Sequence, residues 1–277
     1  MRRLLGLGDN TADLYVDQNV MYPGGNTVNV AVLTARLGHP ASYLGVLGDD
    51  PPGHLILRAL RQEGVETAHT RMVQGQTSWS KVRHRNNDRI FEGSDAGVST
   101  TWQLTDQDFA FIARHEVVHT SAYSGLEPLL PQIRDAAPRL SFDFSSEWTA
   151  DSSAALAPML DVAFFSASHQ PEEACVALAQ RMISLGTEIV VMTRGEQGAL
   201  AITDRGVHRG QIVPTTVVDT LGAGDAFIAG FLNTWISGDG LGSTLHAAAQ
   251  EAAKNCATHG AFGYGTPYTP AETPPTV

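Results

Sequence analysis

Basic residues are scarce in this chain: 18 Lys and Arg stand against 29 Asp and Glu, a formal net charge of −11 at pH 7. That balance argues against nucleic acid as a partner, because phosphate contact and counterion release need a basic surface. It leaves small anions open, since backbone dipoles bind phosphate locally inside an acidic protein. Cysteine is nearly missing as well. Cys175 and Cys256 have neither metal-site nor disulfide-framework spacing, which fits a reducing cytoplasm. No apolar run nears the length that spans a bilayer, so a membrane partner is not expected. "MRRLLGLGDN" reaches an acid at Asp9 too soon for a signal peptide and reads as a first strand. "GLGDNT" lacks the G-x-G-x-x-G spacing that a dinucleotide-dependent oxidoreductase places after its first strand.

What is present is a soluble globular composition, 43% hydrophobic and 17% charged over 277 residues. That length suits one large domain, or a domain with a small appendage. Short apolar runs read as strands at Leu4–Leu7, Tyr43–Val46, Val117–Thr120, Leu140–Phe144, Val162–Phe165 and Ile189–Thr193. Helical patterns lie between them at Thr27–Leu37, Gly53–Glu63 and Glu172–Leu185, and later at Asp225–Ile236 and Leu241–Thr258. The alternation predicts an α/β fold, a mostly parallel sheet with helices on both faces. There is no internal repeat and no linker in the middle.

One region breaks the pattern. "TSWSKVRHRNNDRIFE", residues 77–92, has two strand-like stretches around an Asn-Asn-Asp turn signal. With the extended-looking residues 13–22 it could form a small separate sheet, either a lid over a site or a surface hairpin. A single domain is therefore expected over residues 1–265, carrying these two segments. Residues 266–277 are proline-rich and read as a disordered tail.

The most informative stretch is "VVDTLGAGDAFIAGF", residues 217–231. Gly222, Ala223 and Gly224 precede an apolar helix whose first N–H groups point forward unpaired. Those free donors and the helix dipole attract anions, and the missing side chains let a phosphate approach the backbone. Asp225 follows, where a carboxylate can take a proton from a hydroxyl aimed at that phosphate. Anion cradle plus base is the layout of phosphoryl transfer. An aspartate capping an ordinary helix behind a glycine turn fits the same residues.

A second loop-to-helix junction, "PGGNTVNVAVLTARLG", carries two amides, Asn26 and Asn29. Three apart, they share a helix face, and each can donate to and accept from sugar hydroxyls. Asn26 would serve equally as an N-cap.

These motifs, in this order, resemble the ribokinase-like (PfkB) sugar kinase family across residues 3–263. "GGNTVNVA" is similar to the family's first signature and "DTLGAGDAFIAGF" to its second; "GVLGDD…G…LRQEGV" and "TRGEQGAL" fit between them. The resemblance implies a ribokinase-like fold, with ATP as co-substrate and Mg²⁺ as cofactor. It implies Asp225 as the catalytic base and Gly222, Ala223 and Gly224 as its anion hole. Asp13, Gly25, Asn26 and Asn29 would contact the sugar. Thr193 and Gly195 would line the nucleotide site, with Gly198 as a turn residue. Residues 77–92 fall where the family has its lid, so Arg89 could reach the transferred phosphate; a solvated arginine is the plainer reading. The lid sheet offers an edge for a homodimer, and some relatives bind a monovalent cation near the residue matching Asp219.

Two departures stand out. Where the family often carries Asn-x-x-Glu after the strand at 162–165, this chain has Ser166 and His169, so no metal ligand is assigned. Glu172 and Glu173 read as helix-starting acids. "SFDFSS", 141–146, lacks the polar set of many members, though Asp143 remains a candidate. Within the family, "GDNTADLY", "NNDRIF", "FDFSS" and "FFSAS" resemble members acting on aminated sugars. That implies phosphorylation of a primary hydroxyl on a ketose-amine, with fructoselysine first and fructose, ribose or a nucleoside as alternatives. Asp9 and Asp13, four apart, would share a face if the segment is extended. Asp9 would then meet the substrate ammonium; capping the strand end is its other reading.

Overall fold

The computed structural model describes residues 4–85, 88–101, 103–146 and 148–269, with backbone only for 84–85 and 88–91. Its strands are β1 (Leu4–Leu7), β2 (Thr11–Tyr15), β3 (Val20–Gly24), β4 (Ala41–Leu44), β5 (Val46–Gly48), β6 (Arg71–Val73), β7 (Trp79–Arg85) and β8 (Asp88–Asp95). There follow β9 (Val117–Ser121), β10 (Leu140–Asp143), β11 (Val162–Ser166), β12 (Ile189–Thr193), β13 (Ala199–Thr203), β14 (Gly206–Gly210) and β15 (Thr266–Pro267). The helices are α1 (Asn26–Arg36), α2 (Pro51–Gln62), α3 (Asp106–Ile112), α4 (Leu130–Ala136), α5 (Ala150–Leu156), α6 (Glu172–Ser184), α7 (Ala223–Ile236) and α8 (Leu241–Asn255).

The main sheet has eight strands in the order β14-β13-β12-β11-β10-β9-β1-β4. Pairing is parallel from β4 to β12 and antiparallel at β13 and β14. The parallel strands are buried on both faces almost throughout, which explains their near-continuous apolar runs. In β11, Ala163 and Phe165 face a core built with α3, α4 and α6, while Val162 and Phe164 face α1, α7 and α8. The fold class expected from the alternation is the one observed. No helix among the described residues is long and apolar enough to cross a membrane.

The chain runs from β1 outward to β4, then returns to place β9 on the other side of β1. At such a reversal the strand ends diverge and leave a crevice beyond their carboxyl ends, where open α/β sheets bind ligands. Asp9 just after β1, Ser121 ending β9 and Asp143 ending β10 all lie there.

A separate five-stranded sheet has the order β15-β3-β2-β7-β8. It gathers the two segments that broke the alternation, with β2 parallel to β7 and β7 antiparallel to β8. Alternation sorts its faces. Ala12, Leu14, Met21 and Trp79 pack with Leu55 of α2, and Tyr15 and Val82 pack with Leu221. Two local expectations change. The strand expected at Tyr43–Val46 is divided at Gly45 into β4 and β5, and β5 pairs with β6 instead. Thr266–Pro267, expected in a disordered tail, pairs with Met21 and Val20, and Tyr268 beside it is buried. The rest of that tail, from 270, lies outside the described residues. The β-branched pair Val217 and Val218 is irregular and open, at 61% and 46% exposure.

Candidate active site

Two helix N-termini meet at the crevice. Helix α7 begins at Ala223, two residues earlier than the apolar pattern suggested, so Asp225 sits inside its first turn. Gly222 is its N-cap with φ +77, and a Cβ there would lie 2.5 Å from the Ala261 Cβ. Both facts require glycine. Helix α1 starts at Asn26, and a Cβ on Gly25 would come within 2.5 Å of the Asn10 Cα.

The side chains of the two helices converge on one carboxylate. Asn26 Nδ2 donates to Asp225 Oδ1 at 2.8 Å, and Asn29 Nδ2 donates to Asp225 Oδ2 at 2.6 Å. The helical spacing that puts both amides on one face thus serves Asp225 directly. The buried Asn29 Oδ1 has no hydrogen-bond partner among the described residues.

Asn26 reaches further. Its Nδ2 also donates to Asp143 Oδ2 at 3.0 Å, while its Oδ1 accepts from His119 Nε2 at 2.9 Å. His119 Nδ1 lies 2.9 Å from Ser141 Oγ. Burial, helped by the nearby Asp225 and Asp9 carboxylates and opposed by the Ser145 amide, pushes the Asp143 carboxyl up to about 7. Burial alone pushes His119 down to about 3. Neither His119 nor Ser141 was singled out in the sequence, where one histidine in "VVHTS" carries no local signal.

Asp13 and Asp9 part company. Asp13 is buried in β2, its carboxylate lying over Gly24, where a Cβ would stand 2.2 Å from Asp13 Oδ2. Asp9 lies in the turn between β1 and β2, so the two do not share one strand face. Its Oδ1 accepts from Ser121 Oγ at 2.8 Å and Ser124 Oγ at 3.0 Å, and the carboxylate also accepts from the amides of Asn26 and Thr27. Burial raises the Asp9 pKa against these donors. At 5% exposure it is an internal cap for α1. Protein donors thus already surround the carboxylate that the sequence sets against a substrate ammonium.

Across the sheet, Thr193 ends β12, with its hydroxyl donating to the Phe165 carbonyl at 3.3 Å. Gly195 opens a short turn and Gly198 closes it, both at positive φ. Glu172 accepts from Arg194 at 3.0 Å and from Arg209 at 2.6 Å, so it holds this corner together and is not a spare ligand. Ser166 and His169 are exposed. Among the described residues no three His, Cys, Asp or Glu gather as a metal cage. Arg89 has its backbone in β8, paired with His84; its side chain lies outside the described residues. Asp219, before the glycine loop, is buried and accepts from Tyr15, Leu221 N and Gly260 N.

A carboxylate held on both oxygens beside an open helix N-terminus can accept a hydroxyl proton while the amides hold an anion. Known proteins share the arrangement's framework. The chain matches 42% of residues over 270 positions with the fructosamine kinase FrlD of Bacillus subtilis, covering 96% of this chain and 95% of that protein. It is 36% identical over 262 residues to the fructoselysine 6-kinase of Shigella flexneri, covering 95% of this chain and all of that protein. In fold it is similar to an Arabidopsis thaliana ribokinase solved with ribose and ATP, with a TM-score of 0.80, 21% identity and 94% of each chain covered. The model of the pfkB family of carbohydrate kinases matches residues 3–265. With nearly the whole chain matched, and with Asp225 and its glycine loop in the family's order, the protein belongs to the pfkB family of carbohydrate kinases.

Proposed function

We propose that this kinase transfers the γ-phosphoryl group of ATP to a primary hydroxyl of a ketose joined through an amine to an amino acid, with fructoselysine as the substrate. The observation that carries the chemistry is Asp225, pinned through both oxygens by Asn26 and Asn29 in the first turn of α7. This carboxylate takes the hydroxyl proton as the oxygen attacks phosphorus. The amides of Gly222, Ala223 and Gly224 hold the charge on the transferred group. The two relatives named for fructosamine and fructoselysine support the substrate, each matched over at least 95% of this chain.

Asp13, Gly25 and the free Asn29 Oδ1 are assigned to the sugar hydroxyls. Thr193, Gly195 and Gly198 are assigned to the nucleotide side, where the open Val217 and Val218 add apolar surface for a base. Mg²⁺ neutralises phosphate charge when bound. With no cage of protein ligands among the described residues, the donor set fits an ion that arrives with ATP and keeps its waters. The small sheet serves as a lid that excludes water during transfer. We place the enzyme in the cytoplasm, beside its ATP supply. Strand β8, at one edge of the small sheet, supplies unpaired backbone groups for a homodimer.

The test is ADP release with fructoselysine, fructose, ribose and adenosine, compared as kcat/KM. Preference for fructoselysine is expected. Preference for plain fructose or a nucleoside would move the protein to fructokinase or nucleoside kinase activity.

A further inference from the structure

His119 belongs to neither of the family-like loops, yet it lies directly behind the base. It stands at the centre of β9, with Gly6 opposite on one side and Ser141 opposite on the other. Its neighbours in the strand are apolar or small, and it is fully buried. A polar ring in such a place costs stability unless its nitrogens are bonded. Both are.

The polarity of this chain of bonds is set from its far end. Asn26 must turn its NH₂ toward Asp225 and Asp143, because three oxygens facing one another would repel. Its Oδ1 is then left for His119 and needs a hydrogen. So Nε2 carries the ring's hydrogen, and Nδ1 accepts from the Ser141 hydroxyl. Asp143 makes the lock necessary. When that carboxyl is protonated, it could donate to a flipped Asn26 Oδ1 and stabilise the wrong orientation. The flipped amide would present N–H to the Nε2–H of His119, so the ring would have to move its hydrogen to Nδ1 and the Ser141 hydroxyl would have to turn from donor to acceptor.

We infer that His119 is a positioning residue for phosphoryl transfer, using its Nε2–H to hold the Asn26 amide with its donor toward Asp225. This rests on Asp225 acting as the base. Its consequence is specific: without the lock, Asp225 faces a carbonyl oxygen for part of the time and binds its proton more tightly.

The experiment compares His119→Asn with His119→Gln in the full-length enzyme with ATP and fructoselysine. The Gln side chain can carry an N–H to the Nε2 position; the shorter Asn side chain cannot reach Asn26. His119→Asn should lower kcat by about ten- to a hundredfold, with a smaller change in KM. The acid limb of its kcat/KM profile should move up by about one pH unit. His119→Gln should restore most of kcat and the wild-type limb. Ser141→Ala, a milder change, should move the limb in the same direction by less. Equal losses in the Asn and Gln variants with an unmoved acid limb would reduce His119 to packing and overturn the inference. Should His119→Asn fail to fold, an unmoved limb in Ser141→Ala overturns it equally. Asp225→Asn separates the two levels: if it keeps near-native turnover, the base assignment fails whatever His119 does.

Discussion

Tyr15 and Asp219, 204 residues apart, are joined by a hydrogen bond of 2.6 Å from the phenol to the buried carboxylate Oδ2. Tyr15 ends β2 of the small sheet, and Asp219 lies three residues before the helix cap Gly222. The same carboxylate takes the amides of Leu221 and Gly260, so one acid ties the small sheet, the glycine loop and the C-terminal segment together. Hydrogen bonds to charged groups contribute about 1.5–3 kcal/mol. Tyr15→Phe should cost about that much in urea unfolding, and kcat should fall as the loop loosens. Unchanged stability would mean that the phenol contributes nothing to holding the loop.

Asp225→Asn should lower kcat by about two to four orders of magnitude. Sugar and nucleotide should still bind, since the glycine amides and α1 are untouched. Isothermal titration and single-turnover kinetics measure the two separately. Near-native kcat would exclude Asp225 as the base.

The parts of this fold legible in the sequence are those whose signal is local. The alternation of apolar runs and helical patterns pointed to the layered sheet, and the Asn-Asn-Asp turn signal in the sequence pointed to the second one. The glycine loops and their amides marked the site because helix N-termini need particular residues. What escaped depends on contacts between distant segments. Asp9 was placed on one face with Asp13 because residues 9–13 look extended, whereas the chain crosses there from one sheet to another. His119 gains its meaning only from Asn26 and Ser141, 93 and 22 residues away. Thr266–Pro267 looks like tail by composition, but strand pairing uses the backbone and Tyr268 finds an apolar pocket.

Because protein donors surround Asp9, its replacement should act on the whole site. Asp9→Ala leaves two serine hydroxyls and two α1 amides without their acceptor. A stability loss of about 1–3 kcal/mol is expected, with kcat/KM falling in parallel for fructoselysine and fructose. If the ratio of the two substrates narrows by about tenfold, Asp9 contacts the amine after all.

The small sheet closes over the site only if its hydrogen exchange responds to ligand. Backbone amides of β7 and β8 should become more protected when fructoselysine and a non-hydrolysable ATP analogue bind together. Protection that is equal with and without ligand would leave the sheet as a fixed structural element.

Asp143 and His119 should cancel in the pH dependence of stability, and a variant should uncover it. In the fold, the Asp143 carboxyl is raised from 3.8 to about 7 and the His119 imidazole is lowered from 6.5 to about 3. Taken alone, Asp143 favours folding at low pH and loses that advantage as pH rises from about 4 to about 7. His119 does the reverse: its contribution is present above about 6.5 and is lost as pH falls toward about 3. Between about 4 and 6.5 the pair holds one proton in both states, on Asp143 when folded and on the imidazole when unfolded, so its net slope is near zero. His119→Gln removes only the second partner. Relative to wild type, its stability should therefore fall as pH rises across that window. Urea unfolding of both proteins at about pH 4.5 and about pH 6.5 reads the difference directly. A difference that stays constant with pH would mean that His119 is protonated in the fold, and a charged ring would donate from both nitrogens instead of accepting from Ser141.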